Sequence, residues 1–130
     1  MNFRYNKVFR NVFKVGELSE SVKVALKGIA YLFLYHRNMR IIFLSGIGAF
    51  LAGILFELKG IELVALCVTI TLVFMAEIFN TAIELMIDML TTEYHIKIKV
   101  LKDISAGVVI LACLNALAVG FVLFFKRLFW

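Results

Sequence analysis

Three long apolar runs dominate the pattern of hydrophobic and polar positions along the chain. They cover residues 41–56, 61–90 and 104–125. A helix needs ~20 predominantly apolar residues to cross the hydrocarbon core of a bilayer. Each run therefore predicts a membrane-spanning helix, and the first, which is short, should extend into its flanks. The second run would be roughly 45 Å long at 1.5 Å per residue, so its polar C-terminal end should project into the headgroups.

The segments before the first run have a different pattern. Residues 17–38 repeat apolar positions at helical spacing, with lysines on another face. This pattern predicts an amphipathic helix on the membrane surface, because its polar face is too rich for a span. Residues 1–16 mix basic and aromatic side chains, which suits a surface helix or a basic tail. The predicted fold is an all-α polytopic membrane protein with a tail at 1–16 and one membrane domain at 17–130.

The composition supports a membrane protein and indicates its orientation. Of the 130 residues, 63% are hydrophobic, and there is no proline. The net charge of +5 comes from basic residues that flank the apolar runs, which indicates topology and anionic lipid rather than a nucleic-acid partner. With three spans, eleven Lys and Arg lie on the side of the N-terminus and three on the other side. Basic loops are typically cytoplasmic, so the N-terminus is predicted to be cytoplasmic.

A stripe of five polar residues lies near the C-terminal end of the second predicted span. At 100° per residue they fall within about 100° of one helix face, and they are Glu77, Asn80, Thr81, Glu84 and Asp88. Hydrogen bonding between helices explains the asparagine and the threonine well. A charged group at membrane depth costs ~2.5–3.5 kcal/mol on the insertion scale, however, and usually marks a functional site. We favour a functional role for Glu77 and Glu84, and weight function and structure equally for Asp88.

The segment that follows, residues 91–103, supplies complementary groups. Tyr94 and His95 form an aromatic pair suited to stacking on a nucleotide base. Lys102 and Asp103 begin the third predicted span, where Asp103 is expected to act as the N-cap. Carboxylates for Mg²⁺, a lysine for phosphate and a membrane setting together suggest phosphoryl transfer to a lipid. A basic loop that serves only topology is the favoured interpretation for two other lysines, Lys97 and Lys99.

These residues resemble the small bacterial integral-membrane lipid kinases, the family of diacylglycerol kinase and undecaprenol kinase. The motif Glu77-Ile-Phe-Asn80-Thr81-Ala-Ile-Glu84, with Asp88 one turn on, carries the resemblance. A second matching piece is Glu93-Tyr94-His95, followed after six residues by Lys102-Asp103-Ile-Ser-Ala106-Gly107. A weaker piece, Lys27-Gly28 and Asn38-Met-Arg40, lies near the first span. The resemblance covers residues 19–125.

The resemblance implies an ATP-dependent lipid kinase that uses Mg²⁺ and phosphorylates diacylglycerol or undecaprenol. It implies a homotrimer in the bacterial inner membrane, with active sites between neighbouring subunits at the cytoplasmic face. By position, Glu77 corresponds to the general base, Glu84 to a ligand of the divalent cation that bridges the ATP phosphates, and Lys102 to the phosphate contact. The remaining matching positions support or contact the nucleotide, and they are Asn80, Asp88, Tyr94, His95 and Asp103.

Two positions depart from the family pattern. The family usually has a metal-binding glutamate four residues before the matching arginine, and this chain has His36 there, before Arg40. Many relatives also have a histidine two residues past that arginine, where this chain has Ile42. An imidazole can bind metal, but Mg²⁺ prefers oxygen ligands. His36 is therefore a candidate metal ligand that would lower the affinity for Mg²⁺ or change the preferred ion.

Two other functions stay open from the sequence. A catalytically weak homologue, kept as a membrane interaction or regulatory protein, is suggested only by His36. A small transporter or channel subunit would use the carboxylates as an intramembrane relay. The Tyr94-His95 and Lys102-Asp103 pieces argue against the transporter, because a relay has no use for nucleotide-binding groups.

Overall fold

The computed structural model describes residues 15–129, and four α-helices make up most of the described part. They are α1 (Val15–Tyr35), α2 (Arg37–Leu55), α3 (Ile61–Leu90) and α4 (Ile96–Phe129). Helices α2, α3 and α4 are long and apolar enough to cross a membrane. The prediction of an all-α protein with three spanning helices is therefore confirmed. The predicted tail at 1–16 lies, except for its last two residues, outside the described residues.

The helix boundaries match the predictions best where the apolar pattern is longest. Helix α3 matches the prediction of 61–90 at both ends, whereas α2 begins four residues before the predicted 41. Helix α4 begins at Ile96, eight residues before the predicted 104. The extension of α2 beyond its apolar run agrees with the prediction for this short run, whereas the predicted start of α4 was the start of its apolar run. The helices continue into the polar flanks because helical hydrogen bonds keep the backbone groups paired beyond the hydrocarbon as well as within it.

The early start of α4 makes the prediction of Asp103 as its N-cap wrong. Asp103 is the eighth residue of α4, and its carboxylate pairs with Lys99 one turn earlier, with Nζ and Oδ2 3.4 Å apart. The polar pair Lys102-Asp103 looks like a helix start only if the span begins where the apolar run does. In the folded chain it lies on the third turn of an established helix.

The described part of the chain divides into two units, with the boundary between Arg37 and Asn38. In the first unit, α1 carries Glu17 in its first turn, where a negative charge interacts favourably with the helix dipole. Most of its large apolar side chains are exposed, whereas Leu32 is buried. The helix ends at Tyr35, three residues before the predicted 38.

The second unit is organised around an antiparallel pair formed by α3 and α4. At one end of the pair, Arg127 in the last turn of α4 forms an ion pair with Glu62 in the first turn of α3. At the other end, the Lys102 Nζ atom of α4 lies 2.8 Å from the Asp88 Oδ1 atom of α3. Ion pairs at opposite ends fix both the direction and the register of the two helices.

The connection between α2 and α3 is a tight turn, as its short length predicts. Two of its residues have left-handed backbone angles, Glu57 with φ 57° and Gly60 with φ 58°. The Arg127 guanidinium donates hydrogen bonds to the carbonyl groups of Phe56 and Glu57, in addition to the Glu62 carboxylate. These bonds satisfy carbonyl groups that have no partner after the end of α2.

Burial in the described residues is inverted with respect to a soluble protein. Most large apolar side chains of α2, α3 and α4 are exposed. The buried polar side chains all lie on α3 and α4, and they are Thr69, Glu77, Asn80, Thr81 and Ser105. An apolar exterior suits contact with lipid or with other subunits, and buried polar groups suit a site between helices.

Gly60→Ala tests the turn. A left-handed backbone costs an L-residue with a Cβ atom about 1–2 kcal/mol, so this variant should lower the free energy of unfolding by that amount, although no atom lies within 4 Å of the added Cβ. Gly48→Ala is the matched control, because its Cβ also meets open space but lies inside α2. It should stabilise the helix by about 0.5–1 kcal/mol. Thermal unfolding in detergent micelles measures both, and changes of the same sign would contradict the assignment.

Candidate functional site

Burial increases along the polar stripe of α3 from its C-terminal end inward. Asp88 exposes 63% of its side chain and Glu84 is half-buried. Asn80, Thr81 and Glu77 are buried, and Glu77 is only 4% exposed. The distance along the helix from Glu77 to Asp88 is about 16 Å at 1.5 Å per residue. The stripe therefore runs from the exposed end of α3 into the interior of the α3–α4 pair.

Asn80 is bonded on both sides of its side-chain amide. Its Oδ1 atom accepts a hydrogen bond from the Ser105 hydroxyl of α4 at 2.8 Å. Its Nδ2 atom donates to the Oε1 atom of Glu84, one turn along α3, at 3.3 Å. Asn80 and Glu84 were predicted site residues, whereas Ser105 lies within a motif that carries the family resemblance but had no predicted role. The available signal was its spacing, because Ser105 lies three residues after Lys102 and so shares a face of α4 with it.

Lys102 lies against the exposed end of the stripe. Its ammonium group donates a hydrogen bond of 2.8 Å to Asp88, and the two side chains are 41% and 63% exposed. An exposed ion pair contributes only about 0–1 kcal/mol to stability. Lys102 can therefore leave Asp88 for another anion at little cost, while α4 keeps it near the α3 carboxylates.

His95 immediately precedes α4 and acts as its N-cap. Its carbonyl oxygen accepts the first helical hydrogen bonds, from the N–H groups of Ile98 at 3.0 Å and Lys99 at 3.1 Å. Its Nδ1 atom accepts a hydrogen bond from the Lys97 N–H at 3.3 Å. A ring nitrogen that accepts a hydrogen bond carries no proton, so the cap requires the ring to be unprotonated at Nδ1.

A cavity of about 550 Å³ lies between the end of α3 and the start of α4. Small-molecule sites typically measure about 300–1,000 Å³. Five of the predicted site residues line this cavity, and they are Asp88, Tyr94, His95, Lys102 and Asp103. The other predicted residues of α3 lie deeper along the stripe. The fold thus gathers the aromatic pair and the Lys-Asp pair at one place, although they are separate in the sequence.

Few side chains near the cavity could hold a metal ion. Within residues 15–129, no three His, Cys, Asp or Glu side chains come together to hold a metal ion. Mg²⁺ is typically held by one or two carboxylates together with substrate phosphates, so a single glutamate such as Glu84 suits this ion. His36 follows α1 and is half-buried, with its ring 6.1 Å from the Tyr31 ring.

Comparison with known proteins decides the family. Residues 23–124 match the sequence profile of the prokaryotic diacylglycerol kinases. The chain belongs to the prokaryotic diacylglycerol kinase family. The matched range contains every predicted site residue from His36 to Asp103 and most of the three apolar helices. The family resemblance inferred from the motifs is therefore confirmed.

Two named relatives are similar over most of the chain. A protein of Synechocystis named diacylglycerol kinase is 35% identical over 113 residues, which cover 85% of this chain and 65% of the relative. A protein of Bacillus subtilis named undecaprenol kinase is 30% identical over 92 residues, which cover 71% of this chain and 75% of the relative. The chain thus spans a little less than two thirds of the Synechocystis kinase. The two relatives carry different substrate names, so likeness alone does not choose the lipid.

The cap on α4 gives a prediction for this family member. His95→Ala removes the acceptor for the Lys97 N–H and should lower the free energy of unfolding by about 0.5–2 kcal/mol. His95→Asn keeps an acceptor at the N-cap, so its free energy of unfolding should fall much less. Thermal unfolding followed by circular dichroism in micelles compares the two variants. Equal losses would show that stability depends on other contacts of the imidazole ring and not on the cap.

Proposed function

We propose that this chain is a lipid kinase that transfers the γ-phosphoryl group of ATP to the hydroxyl group of a membrane lipid, diacylglycerol or undecaprenol. Family membership supports the kinase reaction. The observation that carries the proposal further is the cavity at the α3–α4 end, where Lys102 lies beside the carboxylates of α3 and next to Tyr94 and His95. Phosphoryl transfer depends mainly on positioning and on electrostatic stabilisation of the phosphates, and this cavity offers groups for both.

The burial gradient along α3 suits two substrates that arrive from different phases. ATP is soluble in water and would enter the cavity at the exposed end, near Asp88 and Lys102. A lipid hydroxyl is held at membrane depth and would approach the buried end, near Glu77. Glu84 lies between these ends on the same face of the helix. The proposed order along α3 is therefore lipid, metal and nucleotide.

Glu77 is the proposed general base. It would accept the proton of the lipid hydroxyl as the new bond from that oxygen to the γ-phosphorus forms. The bond from the γ-phosphorus to the bridging oxygen breaks, and ADP leaves with those electrons. Glu77 is 4% exposed, so water competes little for its carboxylate. Only a group near the lipid end of the stripe can take this proton, which favours Glu77 over Glu84 and Asp88.

Lys102 and Glu84 are proposed to hold the phosphates from two sides. Lys102 would exchange its exposed pair with Asp88 for a phosphate oxygen, which an ammonium group binds as a compact point charge. Glu84 would hold Mg²⁺, which supplies positive charge to the β- and γ-phosphates when bound. Tyr94, His95 and Asp103 border the same cavity and would contact the nucleotide. The metal role of His36 is a proposal that rests on the family resemblance.

The site is proposed to face the cytoplasm of a bacterial cell, where ATP is present. Eleven of the fourteen Lys and Arg lie on the side of the N-terminus and of the α3–α4 connection, as positive charge on the cytoplasmic side requires. A homotrimer with active sites between neighbouring subunits is proposed on the family resemblance, and the exposed apolar side chains of the described helices suit contact with lipid or with other subunits.

Glu77→Gln tests the base and the function together. The amide keeps the shape of the side chain but cannot accept the proton, and general-base assistance is worth about 10²–10⁴-fold in rate. Purified protein in micelles is given ATP, Mg²⁺ and each candidate lipid, and phosphorylated lipid is measured. Turnover should fall by that factor while ATP binding persists.

Glu62→Gln is the matched control, because it changes the same residue type on the same helix at the opposite end of the pair. Its turnover should match wild type, because the amide oxygen of this variant can still accept a hydrogen bond from Arg127. Near-normal turnover of Glu77→Gln would remove Glu77 from the role of base. No phosphorylation of either lipid by the wild type would favour the interaction or regulatory protein instead.

Lys102→Ala tests the phosphate contact. A hydrogen bond to a charged group is worth about 1.5–3 kcal/mol, so the KM for ATP should rise roughly 10- to 100-fold. Lys97→Ala is the control, since Lys97 also lies in the first turns of α4 but does not line the cavity. Its KM should stay near that of wild type. Equal effects of the two substitutions would show that α4 contributes only general positive charge.

A further inference from the structure

Ser105 is a buried polar side chain for which the proposed reaction has no direct use. It is 4% exposed and lies on α4, facing α3. Its Oγ atom is 2.8 Å from Asn80 Oδ1 and 2.9 Å from the Lys102 carbonyl oxygen. It does not line the nucleotide cavity. Any contribution it makes to the site must therefore pass through a neighbouring group.

The number of protons available determines how the Asn80 amide is oriented. An ionised carboxylate only accepts hydrogen bonds, so the NH₂ group of Asn80 must face Glu84. The Asn80 oxygen then faces Ser105, whose single hydroxyl proton is shared between this oxygen at 2.8 Å and the Lys102 carbonyl oxygen at 2.9 Å. If the amide were rotated by 180°, its oxygen would face the Glu84 carboxylate, and two acceptors would lie together without a proton between them. The Ser105 hydroxyl is thus the donor that holds the amide in the orientation that Glu84 requires.

This chain of hydrogen bonds leaves Glu84 with one occupied oxygen and one available oxygen. Oε1 accepts from Asn80 at 3.3 Å, and Oε2 makes no hydrogen bond within residues 15–129. Glu84 is half-buried, so part of its side chain stays accessible to an ion. Partners that orient a metal ligand change metal affinity or activity by about 10–100-fold when removed.

We infer that Ser105 is a positioning residue that fixes the amide of Asn80 and, through it, holds the Glu84 carboxylate in place for a divalent cation. The inference deepens the proposed function and rests on its assignment of Glu84 as a metal ligand. Ser105 contacts neither metal nor nucleotide in this arrangement. Helix α4 would then have two roles, because it supplies Lys102 for phosphate and, through Ser105, orients the metal ligand Glu84 on α3.

The test measures binding of Mn²⁺ by electron paramagnetic resonance in the presence of a non-hydrolysable ATP analogue, on the whole protein in micelles without lipid. Ser105→Ala should weaken Mn²⁺ binding by about 10-fold or more, and should raise the Mg²⁺ concentration that half-saturates turnover. Ser105→Thr keeps the hydroxyl donor and should bind Mn²⁺ like the wild type. Ser45→Ala is the matched control, because the Ser45 hydroxyl bonds only to the Ile41 carbonyl of its own helix. It should leave Mn²⁺ binding unchanged.

A double-mutant cycle separates positioning from packing. If Ser105 acts through Asn80, then Ser105→Ala should weaken Mn²⁺ binding in the wild type but add nothing to Asn80→Ala, because coupled residues are not additive. Additive losses would overturn the inference. Equal weakening by Ser105→Ala and Ser105→Thr would overturn it too, since the hydroxyl would then not be the cause. Thermal unfolding and gel filtration confirm that each variant remains folded.

Two further outcomes distinguish this inference from the proposed function. If Glu84→Gln binds Mn²⁺ as tightly as wild type does, Glu84 is not a ligand, and both the inference and the metal assignment fail. If the wild type phosphorylates no lipid but Ser105→Ala still weakens Mn²⁺ binding through Asn80, the positioning role is supported and the kinase proposal alone fails.

Discussion

The antiparallel pairing of α3 and α4 through polar groups is the interaction on which the rest of the structure depends. Between helices in lipid, the hydrophobic effect gives no preference for one register over another, because the lipid tails are as apolar as the side chains. The register is instead determined by polar contacts between the helices. Ion pairs at the two ends and the buried bond between Ser105 and Asn80 in between agree on a single register. If α4 moved by one helical turn along α3, the two ion pairs and the Ser105–Asn80 hydrogen bond would all be broken.

The same register assembles the site. Lys102 reaches Asp88 in the same register in which Arg127 meets Glu62 at the far end of the pair. Asn80 can serve Glu84 only because Ser105 occupies the other side of its amide. Stability and candidate chemistry therefore draw on one set of contacts in this protein. The exposed pair at the cavity is weak enough to open, whereas the buried bond lies where an unpaired polar group would be costly.

Much of this arrangement could be predicted from the sequence, and the failures have physical causes. The span 61–90 was predicted at both ends, because thirty largely apolar residues followed by a polar segment admit one helix. The face shared by Glu77, Asn80 and Glu84 follows from helical periodicity alone. Asp103 was placed wrongly because hydropathy marks the hydrocarbon boundary and not the first hydrogen-bonded turn. No role was predicted for Ser105, because its partner Asn80 is 25 residues away and the spacing of residues within one helix does not show which residues pair between helices.

Arg127 links the end of the chain to its middle. The carbonyl groups of Phe56 and Glu57 precede their arginine donor by about 70 residues. During synthesis, which proceeds from the N-terminus at about 5–20 residues per second, the turn after α2 emerges long before that donor. The first hairpin to form is thus the last to acquire all its hydrogen bonds. A chain shortened by only a few C-terminal residues would carry an intact set of spans and a loop that is never completed.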